Sequence, residues 1–430
     1  MGYICNKMFR KTFLCISSFQ ALAMFRRGLF YTYLSIYLRY FLGLTVTETT
    51  LFATFPMIFN ILFQTFVWGP ISDRYQKRRR LIILGEVFAS ISTFFVWFFH
   101  TLPPNNHTAG YIIICGLTFV EIFWSMSNVG WTAIISDLYG IKERTSVQGK
   151  LQSIGAIGNF IGVWLGGLAY DGLSKFYEGW GFDRGLLFFI ASGAMLISTI
   201  PMFFIPEGGA VFSKKTIEEM KHKNRGISSY SKPFLIFLLA MVFINFGRNS
   251  VVLIKPQYLS LDEGFNVSST LLSYIINIGS VAIFLIGLSI GKFSKRFSNE
   301  ILLFYGSIIA SLHLLGFVFA KSLVVIFICS FLGGISEAVI FSASYSYASR
   351  LIRPENRGKQ FALFNATFFL SWGVAGTFIA APIVDLLAKT GRTLVFSYKM
   401  SFLSATILVF IGIFVLLYAY SFNKRLLKKP

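Results

Sequence analysis

Twelve runs of mainly apolar residues, each about 20 or more residues long, divide this sequence, at approximately 13–41, 50–71, 81–101, 110–137, 148–170, 185–206, 233–260, 267–291, 300–320, 323–349, 359–385 and 396–421. A helix of about 20 apolar residues crosses a hydrocarbon core ~30 Å thick, so each run is long enough to span a bilayer once. None shows the alternating ~10-residue segments of a transmembrane barrel. Only 13% of the 430 residues are charged and 55% are apolar, where a soluble domain carries roughly 25% charge. So much apolar surface excludes both a soluble globule and a disordered chain. The expected fold is an all-α integral membrane protein with 12 transmembrane helices.

The formal net charge is +21. In a soluble chain that would point to nucleic acid, but here the basic residues cluster between apolar runs, as membrane edges require. No nucleic-acid partner is expected. With the N-terminus in the cytoplasm, four of the 39 Lys and Arg residues lie inside runs. Seven face outwards (Arg39, Lys175, Arg184, Lys321, Lys389, Arg392 and Lys399) and the other 28 face the cytoplasm. That split obeys the positive-inside rule, and one helix more or fewer would scramble it. A multi-pass protein of the cell membrane with both termini cytoplasmic is expected. The first run is too long for the core of a signal peptide and reads as a retained helix. Cys5, Cys15, Cys115 and Cys329 show no CxxC spacing and read as small buried thiols.

The longest polar stretch, Glu207 to Lys232, falls between runs six and seven and has the composition of a short surface helix. It separates an N-terminal six-helix bundle (1–206) from a C-terminal one (233–430) with a short basic tail, leaving 207–232 as a cytoplasmic linker. The halves repeat. Phe25-Arg26-Arg27-Gly28 followed by Tyr37-Leu38 matches Phe246-Gly247-Arg248-Asn249 followed by Tyr258-Leu259, and Arg144 with Asp171 matches Arg357 with Asp385. Such duplication is common in transporters.

Between runs two and three stands Gly69-Pro70-Ile71-Ser72-Asp73-Arg74-Tyr75-Gln76-Lys77-Arg78-Arg79-Arg80. It resembles the GxxxDRxxxRR signature of the major facilitator superfamily, and the helix count and duplication agree. The resemblance covers essentially the whole chain. It implies two six-helix bundles related by a pseudo-two-fold axis, rocking about a central site in alternating access. It also implies that this loop is a gating latch. Gly69 would let helix two approach a neighbouring backbone closely, Asp73 would sit near a helix N-terminus, and Arg74 with the basic run would anchor to anionic headgroups. The second-half counterpart has Lys295 in place of the acid, which implies a weaker latch. Arg144 and Arg357 resemble the family's helix-starting arginine, with gating or structural roles.

An ionisable group at the bilayer centre costs at least ~2.5–3.5 kcal/mol, so each one needs an explanation. The deep charges are Arg26 and Arg27 in run one, Glu121 in run four, Arg248 in run seven and Glu337 in run ten. At ~1.5 Å per residue they converge on one layer. The family's cavity is lined by helices one, four, seven and ten, the helices that carry these charges. Arg27 and Arg248 should then face each other as an anion grip, with Arg26 and Lys255 adding charge and Lys255 near enough to the outer end to snorkel. Asn128, Asn245 and Asn249 are candidate polar contacts, and Tyr37 and Tyr258 should lie towards the outer mouth. Counting Lys255, the cavity carries about +2 from four basic and two acidic groups, which favours an anion. Glu121 and Glu337 are candidates for proton coupling. Pairing within each half, Arg26 or Arg27 with Glu121 and Arg248 with Glu337, would account for the same residues as packing devices. Glu86, nearer the cytoplasmic end of run three, is expected to reach water.

Arg248 with Pro256, Tyr258 and Leu259 is similar to helix seven of organophosphate:phosphate exchangers, though Ile36-Tyr37 replaces the Pro-Tyr pair expected on helix one. The competing class is proton-driven multidrug efflux. Run five keeps that class's glycines (Gly158, Gly162, Gly166, Gly167) without its proline, and run four lacks its arginine. A non-transporting receptor on the same fold is a third reading. No HExxH, GxSxG or P-loop occurs, so no enzyme and no cofactor are expected. The expected function is secondary active transport of a small molecule, an organic or phosphate-bearing anion, by a monomer in the lipid bilayer.

Overall fold

The computed structural model describes residues 2–139, 141–172, 179–208, 231–352 and 357–426, without the side chains at 2–10, 73, 132, 136, 141–146, 148–149, 357–359, 361–362 and 422–426. The side chains of Asp73, Arg144 and Arg357, and the surface helix expected in the linker, lie outside the described residues.

Helical rods traverse the molecule back and forth. The first half holds α1 (Gly2–Ile36), α2 (Val46–Phe63, resuming at Gly69–Tyr75), α3 (Arg78–His100), α4 (Asn106–Leu138), α5 (Ile141–Tyr170) and α6 (Leu186–Met202). The second holds α7 (Lys232–Ser250, resuming at Lys255–Leu259), α8 (Ser269–Arg296), α9 (Asn299–Phe319), α10 (Leu323–Leu351), α11 (Arg357–Ala375, resuming at Ala381–Lys389) and α12 (Leu394–Leu426). Among the described residues, ten rods are long and apolar enough to span a membrane, and α6 is a shorter apolar helix. The exterior is apolar: Phe66, Phe319, Phe378 and Phe414 are each at least 70% exposed. A surface of that kind belongs in lipid.

Helix ends extend beyond the apolar runs where polar residues cap them. α2 starts at Val46 because Thr45 and Glu48 form a reciprocal capping box. α8 continues to Arg296, its last turn carrying Lys295 and Arg296, which suit the negative end of the helix dipole. Three interruptions stand just before prolines. π turns at Gln64–Trp68 and Gly376–Ala380 stand just before Pro70 and Pro382, and α7 breaks just before Pro256. Proline donates no N–H to the preceding turn, so the helix there must re-pair its carbonyls.

Helices pack mainly within their own half, and the two bundles meet along α2 with α11 and α5 with α8. Small residues set the closest approaches. A Cβ on Gly158 or Gly162 of α5 would fall on the Ala21 or Phe25 carbonyl of α1, the small-residue contact that lets membrane helices touch backbone to backbone. Between the bundles, Gly373 of α11 lies against Ala53 of α2, and the Thr377 hydroxyl shares hydrogen bonds with Thr50 and Thr54. The start of α1, the end of α6, the start of α7 and the end of α12 lie at one end of the molecule, the linker face. The α1–α2 and α7–α8 loops lie at the opposite end, the far face.

Candidate functional site

Successive residues of a helix diverge by ~100°, so Arg26 and Arg27 of α1 leave it in different directions. Close packing of α5 on the Phe25 carbonyl fixes the rotation of α1 and hence both directions. Arg26 turns into its own bundle, 4% exposed, with its guanidinium 4.8 Å from the Trp124 ring of α4. Its buried Nε has no hydrogen-bond partner. Arg27 crosses to the other bundle and lies 4.2 Å from the centroid of Trp372 on α11. Among the described residues Arg27 makes no hydrogen bond or ion pair, while its charge interacts with both Glu121 and Glu337.

Arg248 of α7 behaves differently. It is 8% exposed, forms an ion pair with Glu337 of α10 and donates from Nε to Asn245 at 3.1 Å. Its guanidinium lies 5.8 Å from Phe368, and its buried Nη2 has no partner. Phe368 and Trp372 are four residues apart and so share one face of α11. One aromatic face thus receives an arginine from each bundle.

The asparagines fix that face. Asn245 donates to Thr367 at 3.1 Å and Asn249 to Ser371 at 2.7 Å, so α7 holds α11 at the residues next to Phe368 and Trp372. Both asparagines are fully buried, whereas Asn128 on α4 is only partly buried. In the first half Glu121, 3% exposed, accepts from Asn60, and the Asn60 oxygen accepts from Gln64 at 2.5 Å. Among the described residues, the expected ion pair therefore forms in the second half, between Arg248 and Glu337, while Glu121 interacts with Arg26 and Arg27 electrostatically without one.

Three sequence expectations change. Glu86 does not reach water: it is 2% exposed, accepts from Ser127 at 2.8 Å and interacts electrostatically with Arg26. Its face of α3 is turned onto α4, which depth along the helix does not reveal. Lys255 does not join the arginines. The break before Pro256 directs it at α9, 5.9 Å from the Phe317 ring and within electrostatic range of His313. With Glu86 in the layer and Lys255 out of it, Arg26, Arg27 and Arg248 face Glu86, Glu121 and Glu337, and the expected excess of positive charge disappears.

The third change concerns the α2–α3 loop. Gly69 packs against the Gln64 carbonyl of its own helix, because the π turn brings that carbonyl beneath it, and not against a neighbouring backbone. Nor is the whole basic run free for headgroups. Arg78, 7% exposed, is engaged by Asp137 at 3.5 Å and by Ser72, and Arg79 by Glu207 at 3.2 Å. Arg74 and Lys77 are exposed, Arg74 beside the Tyr75 ring at 5.6 Å. Along the counterpart loop residues 291–298 are exposed.

Tyr37 and Tyr258 occupy matching places near the far face, each 1% exposed within an aromatic cluster. Tyr37 stacks on Phe182 at 5.1 Å and its hydroxyl lies 3.4 Å from His100. Tyr258 packs on Tyr398 and Phe402 at 5.8 and 5.4 Å. At the far face the two bundles are joined by contacts that the sequence did not assign to a site. Gln257 donates to Thr49 at 2.8 Å, accepts from Tyr398 at 3.0 Å, and its backbone carbonyl accepts from Tyr40 at 2.7 Å. Asp385 accepts from the amides of Val46 and Thr47, and Asp171 from Ser269 at 2.7 Å. The only signal for the two aspartates was their match between the repeats.

Two bundles joined along α2/α11 and α5/α8 around buried charges on α1, α4, α7 and α10 agree with the sequence comparison. The family model of the Major Facilitator Superfamily matches residues 16–377. The chain belongs to that superfamily. Its fold is that of these multi-pass membrane transporters, 12 helices in two six-helix bundles related by pseudo-two-fold symmetry. A bacterial homologue of the human lysosomal transporter Spinster, in an inward-facing and unoccupied conformation, superposes with a TM-score of 0.73 at 17% identity, over 97% of this chain and 98% of that one. A D-xylose–proton symporter gives 0.73 at 14% identity, over 95% and 97%. The nucleoside transporter NupG gives 0.70 at 11% identity, over 95% and 99%. At these identities the likeness concerns the fold. No curated protein matches the sequence.

Proposed function

We propose that this superfamily member is a secondary transporter that moves a small organic anion by alternating access, with Arg27 as the anion-binding group. The supporting observation is the contrast between repeat-equivalent arginines: Arg248 is paired with Glu337, whereas Arg27 stands between the bundles over the Trp372 ring and, among the described residues, forms no ion pair. A guanidinium so placed keeps its in-plane N–H groups for a carboxylate. One open fork suits a monoanion better than a phosphate dianion, which would call on Arg248 as well.

Charge balance favours a coupled proton. Three guanidiniums face three carboxylates, so an anion bound at Arg27 leaves one uncompensated negative charge, which is expensive to bury. A proton on Glu121 or Glu337 restores neutrality. Glu337 is the more accessible, its side chain 37% exposed. Anion and proton would then travel together, a coupling that the D-xylose–proton symporter's name states for its own sugar. Residues 1–206 and 233–430 are the moving bundles, 207–232 is the cytoplasmic linker, and the linker face is the cytoplasmic side of the cell membrane. The closed far face then makes this an inward-facing form, with the α2–α3 loop, Arg144 and Arg357 as gating elements on the inner side. One chain contains both bundles and works as a monomer. The aromatic lining, Trp124, Phe368 and Trp372, favours lipophilic efflux as the second reading.

The test is uptake of labelled acetate, benzoate and inorganic phosphate into proteoliposomes, with and without an imposed proton gradient. Hydrogen bonds to a charged group contribute ~1.5–3 kcal/mol, so Arg27→Gln should lower carboxylate uptake about 10- to 100-fold. The gradient should accelerate the wild type. Transport of a lipophilic cation that is indifferent to Arg27 would replace this reading with efflux.

A further inference from the structure

Resting on that reading of Arg27, we infer that the transported anion is flat: an aryl or heteroaryl carboxylate. The guanidinium of Arg27 lies over the Trp372 ring at 4.2 Å, and Arg248 lies over Phe368, one turn away on the same face of α11, at 5.8 Å. The hydrogen bonds from Asn245 to Thr367 and from Asn249 to Ser371 hold this aromatic face in register with α7. A carboxylate gripped by both arms of a guanidinium lies in the guanidinium plane. A guanidinium lying flat on Trp372 would make a carboxylate held there project its substituent along the aromatic face and not away from it.

That geometry discriminates by shape. In an aryl carboxylate the ring is conjugated with, and coplanar with, its carboxylate, so the grip and contact along the aromatic face beside the guanidinium are satisfied together. A saturated ring leaves the plane at its first tetrahedral carbon and loses the ring contact. A phosphate can engage the fork with two oxygens, but it carries no flat ring to lay along the aromatic face. Flat-ring stacking of this kind contributes enough to show as a several-fold preference.

The experiment is a binding titration on the purified full-length protein, using benzoate, cyclohexanecarboxylate and inorganic phosphate, with isothermal calorimetry and thermal shift as readouts. The wild type should bind benzoate at least about fivefold more tightly than cyclohexanecarboxylate, and phosphate most weakly. Trp372→Leu should bring benzoate and cyclohexanecarboxylate together, Trp372→Phe should keep most of the preference, and Arg27→Gln should lose both. If cyclohexanecarboxylate binds the wild type as well as benzoate, the flat-substrate inference fails and the anion reading survives. If phosphate binds best, the inference also fails. If none of the three binds, or binding is unchanged in Arg27→Gln, the anion reading fails with it. The wild-type comparison decides the matter even where a tryptophan variant does not fold.

Discussion

Asp385, at the far end of α11, caps the opposite bundle's helix that begins at Val46: its carboxylate oxygens accept from the amides of Val46 and Thr47 at 3.1 and 2.8 Å. The repeat-equivalent Asp171, at the far end of α5, accepts from the Ser269 hydroxyl at the start of α8. A carboxylate at matching places of the repeat therefore joins the bundles at the far face at both interfaces, Asp385 through helix amides and Asp171 through a hydroxyl. The first amides of a helix have no partners inside the helix, so a carboxylate from the other bundle satisfies them only while the face is shut.

Removing the cap should open that face. Loss of an N-terminal cap costs ~0.5–2 kcal/mol. Asp385→Ala should therefore shift the population towards an open far face by roughly 2- to 30-fold, and the double variant with Asp171→Ala further. Spin-label distances between the far ends of α2 and α11 would report the change. Distance distributions identical to wild type in both variants would refute a gating role.

The second-half pair should be asymmetric in its mutational cost. Breaking a buried ion pair by removing one partner costs ~3–5 kcal/mol, less where one side is exposed. With the Glu337 side chain 37% exposed and Arg248 8% exposed, Glu337→Gln should lower stability by about 2 kcal/mol, because Arg248 stays buried without a carboxylate. Arg248→Gln should cost less, since Glu337 has access to water. Thermal melts of the two single variants check the order, and equal shifts would argue that neither charge is held by the other.

Glu86 tests the burial that a linear reading misses. Glu86→Leu removes a hydrogen bond to Ser127 and a counter-charge for Arg26, and should cost roughly 1–3 kcal/mol. A water-exposed glutamate at that position would change stability by no more than ~0.5 kcal/mol, and a melt separates the two outcomes.

What could be read in advance follows the physics that makes it local. The spans were legible because a bilayer demands ~20 apolar residues for each crossing. Arg27, Glu121, Arg248 and Glu337 stood out because charge in an apolar run is conspicuous. What was hidden is rotational. Depth along α3 says nothing of which face carries Glu86, and the direction of Lys255 depends on how α7 re-forms at Pro256. Asp171 and Asp385 were visible as a repeat, but their partners lie in the other bundle, across a contact that no local pattern encodes.

The α2–α3 loop should behave as a strut in which neighbouring arginines differ. Arg78, 7% exposed, is held by Asp137 and Ser72, whereas the Arg80 side chain is 62% exposed beside Glu207. Arg78→Ala should cost about 2–3 kcal/mol, the range for buried charge-assisted hydrogen bonds, while Arg80→Ala should stay within ~0.5 kcal/mol. A surface anchored only by headgroups would show the two as equals in detergent. Melting both variants in detergent and again in anionic nanodiscs separates the cases: a strut keeps the Arg78 deficit in both, and a headgroup anchor shows it only in the lipid.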